Sequence, residues 1–120
     1  MKKLAIVGSR NYTNYDEFCQ IISYMDEKEH ILDNVTTIIS GGATGVDTLA
    51  EKWASENNKL FIPFPADWKK HGKAAGPIRN KLIVDEMTHM LALPSSTSLG
   101  TKNSIRLAEN ANKKCYIVEI

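Results

Sequence analysis

The sequence predicts one α/β domain over residues 1–120: a doubly wound, five-stranded and mainly parallel sheet with helices on both faces. Two observations predict it. Short continuous apolar runs recur along the chain, most of them followed by Gly, Ser or Pro, as in strands buried on both faces. Between them lie stretches whose apolar residues repeat at three and four, the stripe of an amphipathic helix. The two patterns alternate from end to end, and each connection is long enough for a right-handed βαβ crossover.

Leu4 to Val7 is the first run. It follows two lysines, as a secretory leader would, but it stops at Gly8-Ser9-Arg10, too soon for a leader's apolar core, so a first strand is expected. Phe18, Ile21, Ile22 and Met25 then share one helical face. Val35 to Ile39 is the second strand. Val46, Leu49, Ala50, Trp53 and Ala54 give the cleanest helical stripe in the chain. Leu60 to Phe64 is the third strand, and Ala66 to Gly76 reads as a loosely patterned loop. Ile78, Leu82 and Met87 suggest a weaker helical stripe. Met90 to Leu93 is the fourth strand, Ser104, Leu107, Ala108 and Ala111 mark a last helix, and Tyr116 to Ile120 is the fifth strand. No repeat, linker or low-complexity segment interrupts this order.

Fifteen basic and fourteen acidic side chains leave a net charge of +1, which argues against sequence-independent binding to long nucleic acid. No apolar run approaches the length of a membrane span. Cys19 and Cys115 stand apart, outside any CxxC or Cys/His cluster, as reduced thiols of a cytoplasmic protein would. His30, His71 and His89 lack metal-ligand spacing, so neither a metal nor a resident cofactor is expected. No GxSxG elbow or Cys/His pair marks a covalent nucleophile.

Four segments carry polar chemistry, and all follow strands, on the side where open α/β sheets place ligands. Gly8-Ser9-Arg10 ends the first strand; a serine hydroxyl and a guanidinium there suit a phosphate. Ser40-Gly41-Gly42-Ala43-Thr44-Gly45-Val46-Asp47 is a glycine-rich turn into the best helix, either an anion cradle or a plain turn. Thr44 and Asp47 also fit a capping box, with Asp for the usual Glu. Trp68 to Lys81 holds five Lys/Arg and no acid from Lys69 onward; Trp68 could stack on a base or ribose, and Pro77 places Arg79 and Asn80 in a first helical turn. Pro94 to Thr101 offers hydroxyls, Gly100 and a second helix start, with Thr101 a candidate N-cap.

Three of these segments resemble the SLOG superfamily, named for the Smf/DprA and LOG proteins, and within it the small YspA-like, YpsA-related branch. Ile6-Val7-Gly8-Ser9-Arg10 is similar to that branch's vtGsR, Ile39 to Asp47 to its vhGgarGaD, and Gly76-Pro77-Ile78-Arg79-Asn80 to its aGpiRN. The resemblance implies a Rossmann-like fold and a site for nucleotides or nucleotide-derived ligands. Superfamily members include hydrolases of the N-glycosidic bond of nucleoside monophosphates, sensors of NAD-derived or cyclic ADP-ribose-type signals, and proteins that bind single-stranded DNA. The hydrolases carry Pro-Gly-Gly-x-Gly-Thr-x-x-Glu before the last helix. Here Gly100 and Thr101 remain, but Ser104 stands where the glutamate would be.

Three functions follow as expectations. The first is capture of a phosphate-bearing nucleotide derivative, as a sensor or sequestering protein, by Gly8, Ser9, Arg10, Ser40, Gly41, Gly42, Ala43, Thr44, Gly45, Asp47, Trp68, Arg79, Asn80, Pro94, Gly100 and Thr101. The second is a nucleoside-phosphate hydrolase with Asp47 as the acid/base group. The third is single-stranded DNA binding through Lys69 to Lys81. A homodimer is also expected, from the pairing of relatives and from Trp53 on a helix face.

Overall fold

The computed structural model describes residues 1–120. Five parallel strands form one sheet in the order β3-β2-β1-β4-β5. They are β1 (Lys2–Gly8), β2 (Val35–Ser40), β3 (Leu60–Pro63), β4 (His89–Leu93) and β5 (Cys115–Ile117). The helices are α1 (Tyr15–Glu29), α2 (Val46–Glu56), α3 (Trp68–His71), α4 (Ala75–Glu86) and α5 (Leu99–Asn110). The chain winds outward from β1 to β3, then returns to β4 and β5, so the strand order reverses between β1 and β4. Crevices open at such a reversal, beyond the carboxyl ends of the strands.

Two apolar layers hold the sheet. Leu4, Ile6, Ile38, Leu91 and Leu93 meet α1 and α2 through Phe18, Ile22, Val46, Ala50 and Trp53. Ala5, Val7, Ile39, Met90 and Ala92 meet α4 and α5 through Ile83, Val84 and Ala108. Successive strand residues alternate between the layers, which is why the buried strands read as unbroken apolar runs. Trp53 lies within the first layer, only 6% exposed, and offers no surface for pairing.

Four expectations are corrected. The stretch from Ala66 to Gly76 is not a loose loop: Asp67 accepts from the Lys70 N–H at 3.1 Å and starts α3, a 3-10 turn follows over Gly72–Ala74, and α4 begins at Ala75. Ile78 and Leu82 do not form the buried stripe of α4; they are 39% and 52% exposed, and Ala75, Gly76, Asn80, Ile83 and Val84 face inward instead. Small residues let α4 lie close to α5, and Asn80 turns inward because hydrogen bonds await it there. Thr101 is not the N-cap of α5; Ser98 holds that position and Thr101 lies buried in the first turn. Strand β5 ends at Ile117, after which Val118 N–H to Ala92 O (2.9 Å) and Ile120 N–H to Pro94 O (3.0 Å) continue the pairing more loosely.

Candidate functional site

The turn after β2 is shaped by close backbone approaches. Gly45 has φ +73°, and a Cβ there would fall 2.2 Å from the Ser9 carbonyl oxygen. That contact lets the Val46 N–H donate to Ser9 O at 3.0 Å, which fastens the start of α2 to the end of β1. Thr44 Oγ1 donates to Arg10 O at 3.2 Å across the same seam. The capping box expected from Thr44 and Asp47 does not form. Gly45 is the N-cap, and the Asp47 carboxylate reaches back to accept from the Ala43 N–H at 3.1 Å.

Three adjoining depressions result, and Arg10 borders all of them. An inner recess of about 50 Å³ is lined by Gly8, Gly41, Ala43, Asp47, Arg79, Asn80, Gly100, Thr101 and Ser104, over a floor that includes Val7 and Ile83. A larger hollow of about 300 Å³ lies at the strand-order reversal, between Gly8, Ser9, Asn11 and the stretch from Thr97 to Thr101. A third, of about 350 Å³, is bounded by Gly41, Gly42, Ala43, Thr44, Pro65, Ala66, Trp68 and Arg79. The exposed Trp68 ring forms one wall, with its edge near Gly76.

Arg79 is more committed than the sequence suggests. Its Nη1 donates to Gly41 O at 2.7 Å and to Phe64 O at 3.4 Å, and its Nε donates to Asn80 Oδ1 at 2.9 Å. Asn80 in turn donates from Nδ2 to Gly100 O (3.2 Å) and to Asn103 Oδ1 (3.0 Å), tying α4 to the first turn of α5. Asn103 was not anticipated, and nothing in its sequence neighbourhood marks it, because the pairing is made across the fold. Arg10, by contrast, is exposed and donates to nothing within the chain.

Electrostatics follow from this packing. Burial pushes the Asp47 carboxyl above its ordinary value, while the Ala43 N–H, the Ser40 hydroxyl, the positive Arg79 and the Gly41 N–H pull the other way. Burial likewise lowers the pKa of Arg79; Asp47 opposes that and the charge of Arg10 adds to it. Two guanidinium groups therefore flank the recess closely enough to repel each other. The backbone N–H groups of Gly100 and Thr101 have no acceptor within the chain, as befits the open first turn of a helix.

Three residues expected in the site line none of the three depressions. Ser40 Oγ is fully buried and donates to Ile6 O at 2.6 Å, which secures β2 to β1. Pro94 borders a separate hollow with Ser95, Ser96, Lys102, Glu119 and Ile120. Gly45 serves the seam with Ser9 rather than lining a depression. No group of three His, Cys, Asp or Glu side chains comes together as a metal site would require.

Fold and cleft together define a doubly wound, Rossmann-like α/β domain with a polar crevice at its strand-order reversal. The chain belongs to the YspA, cpYpsA-related SLOG family (YAcAr), whose model matches residues 2–71. It is similar to Gene 61 protein of Mycobacterium phage D29, 31% identical over 117 residues that cover 92% of this chain and 91% of that protein. Among solved structures, DNA processing protein A (DprA) from Streptococcus pneumoniae shares the fold at a TM-score of 0.71 and 21% identity, over 98% of this chain and 50% of that one. TM1055 does so at 0.68 and 17%, over 96% of this chain and 72% of that one. DprA from Helicobacter pylori, described for its single-stranded DNA binding mode, aligns at 0.61 and 21%, over 97% of this chain and 64% of that one. No helix is long and apolar enough to cross a membrane.

Proposed function

We propose that the crevice binds a nucleotide-derived, phosphate-bearing small molecule and holds it intact. The observation that carries this reading is the meeting of Arg10 with the unpaired N–H groups of Gly100 and Thr101 in the hollow at the strand-order reversal. A guanidinium beside a helix start is a ready anion site. Trp68, across the recess, supplies a flat face for a base. Membership of the SLOG family supports a nucleotide-type ligand. Ser104, 2% exposed and lining the recess, has no carboxylate to offer where the hydrolase pattern has glutamate, which supports capture over cleavage.

The test is thermal denaturation with nucleoside monophosphates, NAD, ADP-ribose and cyclic nucleotides, followed by mass spectrometry of the recovered ligand. A stabilising ligand returned intact is expected. Recovery of free base and sugar phosphate would instead establish a hydrolase, with the buried Asp47 carboxyl as its acid/base group.

A second reading has its own observation. Lys69, Lys70 and Lys73 are exposed beside Trp68, the combination of charge and stacking that holds single strands. The similarity to DprA supports it. It requires binding of single-stranded oligonucleotides that weakens steeply with added salt.

A further inference from the structure

We infer that a second copy of this chain covers the outer face of β3 and α4, in a twofold dimer built on Leu60, Ile62, Ile78 and Leu82. The inference is independent of what the crevice binds.

The second apolar layer stops short of the sheet's edge. Strand β3 is outermost on its side, and it pairs in register with β2, Ile62 beside Ile39 and Leu60 beside Thr37. Register partners on adjacent strands point to the same face. Ile39 belongs to the layer of α4 and α5, so Leu60 and Ile62 face that layer too. Neither helix covers them: α4 packs against β1 and α5, and Leu60 stays 69% exposed. On the opposite face α2 does cover β3, and Phe61 packs into the first layer.

Helix α4 extends this ledge. Arg79 reaches Gly41 O at 2.7 Å and Phe64 O at 3.4 Å, so its flank of the helix looks toward β2 and the end of β3. Asn80 ties the other flank to α5. Leu82 is three positions from Arg79 and four from Ile78, which makes the three neighbours on the helix surface. Ile78 and Leu82 are both exposed there.

Area and charge both suit a second copy. The four side chains leave roughly 400 Å² exposed on one chain, as large as the apolar patches that mark interaction sites. Two copies together cover roughly 800 Å² from these residues, and the polar rim brings the total to about 1,000 Å² or more, the size a specific interface needs. An added peptide strand is a poor occupant. Strand β3 has only four residues, and Pro63 has no N–H to pair, so few hydrogen bonds await at the edge. No free charge guards the ledge, because Lys59 turns its ammonium to Val35 O at 2.9 Å. Lys81 and Asp85 stand beside Ile78 and Leu82 on the outer side of α4, paired with each other. Two α4 helices that meet antiparallel about a twofold axis set Lys81 of each copy opposite the partner's Asp85, so the face is complementary to itself. A partner of one strong charge would be repelled by one of the two.

The experiment is sedimentation velocity on the full chain from micromolar to millimolar concentration. Wild type is expected to move from the monomer toward twice the chain mass as concentration rises. Leu60→Glu and Leu82→Glu each put a charge into the apolar centre, twice over in a symmetric interface, and should raise the dissociation constant roughly a hundredfold or more. Both positions are exposed, and thermal melts at micromolar concentration verify that the variants fold. Lys81→Glu alone should weaken the dimer, and Lys81→Glu combined with Asp85→Lys should restore it, because the exchange returns opposite charges across the axis. Hydrogen exchange of wild type, which needs no substitution, should slow in β3 and α4 as concentration rises. A wild type that stays monomeric at millimolar concentration overturns the inference and leaves the face to a different partner. A dimer that survives both leucine substitutions overturns it as well, and so does one that the exchanged Lys81 and Asp85 pair fails to restore.

Discussion

Arg79 and Asp47 face each other across Gly41: a Cβ on that glycine would fall 2.5 Å from Arg79 Nη1 and 2.9 Å from Asp47 Oδ2. The site's opposite charges are thus spaced by the absence of one methyl group. Gly41→Ala should fold, because the tightest clash is with the end of the long Arg79 side chain, which can swing away, and the Asp47 carboxylate need give way only slightly. The swing breaks the Nη1 bonds to Gly41 O and Phe64 O, which sets a stability cost of about 1–3 kcal/mol. Ligand affinity should fall by more than that cost alone implies. Urea unfolding and calorimetry on the same variant separate the two effects; an affinity equal to wild type would show that Arg79 has no bearing on binding.

The burial of Asp47 has a consequence for pH. In the unfolded chain its carboxyl titrates near the ordinary 3.8, and in the native state it titrates higher. Between those values the native protein keeps a proton that the unfolded chain has lost, so this group's contribution to stability declines as pH rises and stays lower at neutrality. Asp47→Asn removes the group from titration. The variant's stability relative to wild type should therefore increase as the pH rises from about 4 toward neutrality. Arg79→Gln, which deletes the opposing positive charge, should steepen the decline in wild-type Asp47. Urea midpoints across that range check both slopes, and a stability difference that shrinks with rising pH would show that Arg79 outweighs burial.

How far the sequence carries depends on what kind of interaction decides each feature. Leu4–Val7 and Met90–Leu93 are legible because central parallel strands are apolar on both sides, and the glycine turn is legible because Gly45 must adopt a positive φ. The inward face of α4 is not. Its stripe consists of Ala75, Gly76, Asn80, Ile83 and Val84, and the polar Asn80 is buried for bonds to Arg79, Gly100 and Asn103 that no local pattern announces. Trp53 and Trp68 show the same divide. Both read as large aromatics near helices, yet one is core and the other is surface, a difference set by which layer lies above them.

Asn80 therefore invites a direct test. Its truncation to Ala leaves Asn103 Oδ1 without its donor and Arg79 Nε without its acceptor, and it leaves Gly100 O with the Ser104 hydroxyl as its side-chain donor. Asn80 is 5% exposed, so the cost should be about 1–3 kcal/mol. Asn103→Ala should cost less, since Asn103 is only half-buried. A double-mutant cycle should return a coupling of about 0.5–3 kcal/mol for the pair. Additive losses would mean that the two amides do not meet in solution.

Arg10 offers the converse case, a residue whose loss should touch binding alone. It is exposed, its guanidinium makes no hydrogen bond within the chain, and it borders all three depressions. Surface changes of this sort move stability by no more than about 0.5 kcal/mol. The charge of Arg10 already reaches Arg79, and removing it relieves that repulsion without leaving any partner unpaired. Arg10→Ala should then unfold at the wild-type urea concentration while losing roughly tenfold to a hundredfold in affinity for a phosphate-bearing ligand, the range of a charge-assisted hydrogen bond. Arg10→Lys should recover part of the loss, because the charge returns without the planar fork that grips two phosphate oxygens. If Arg10→Ala binds as wild type does, the anion lies away from the strand-order reversal, and the hollow walled by Trp68 becomes the place to look for it.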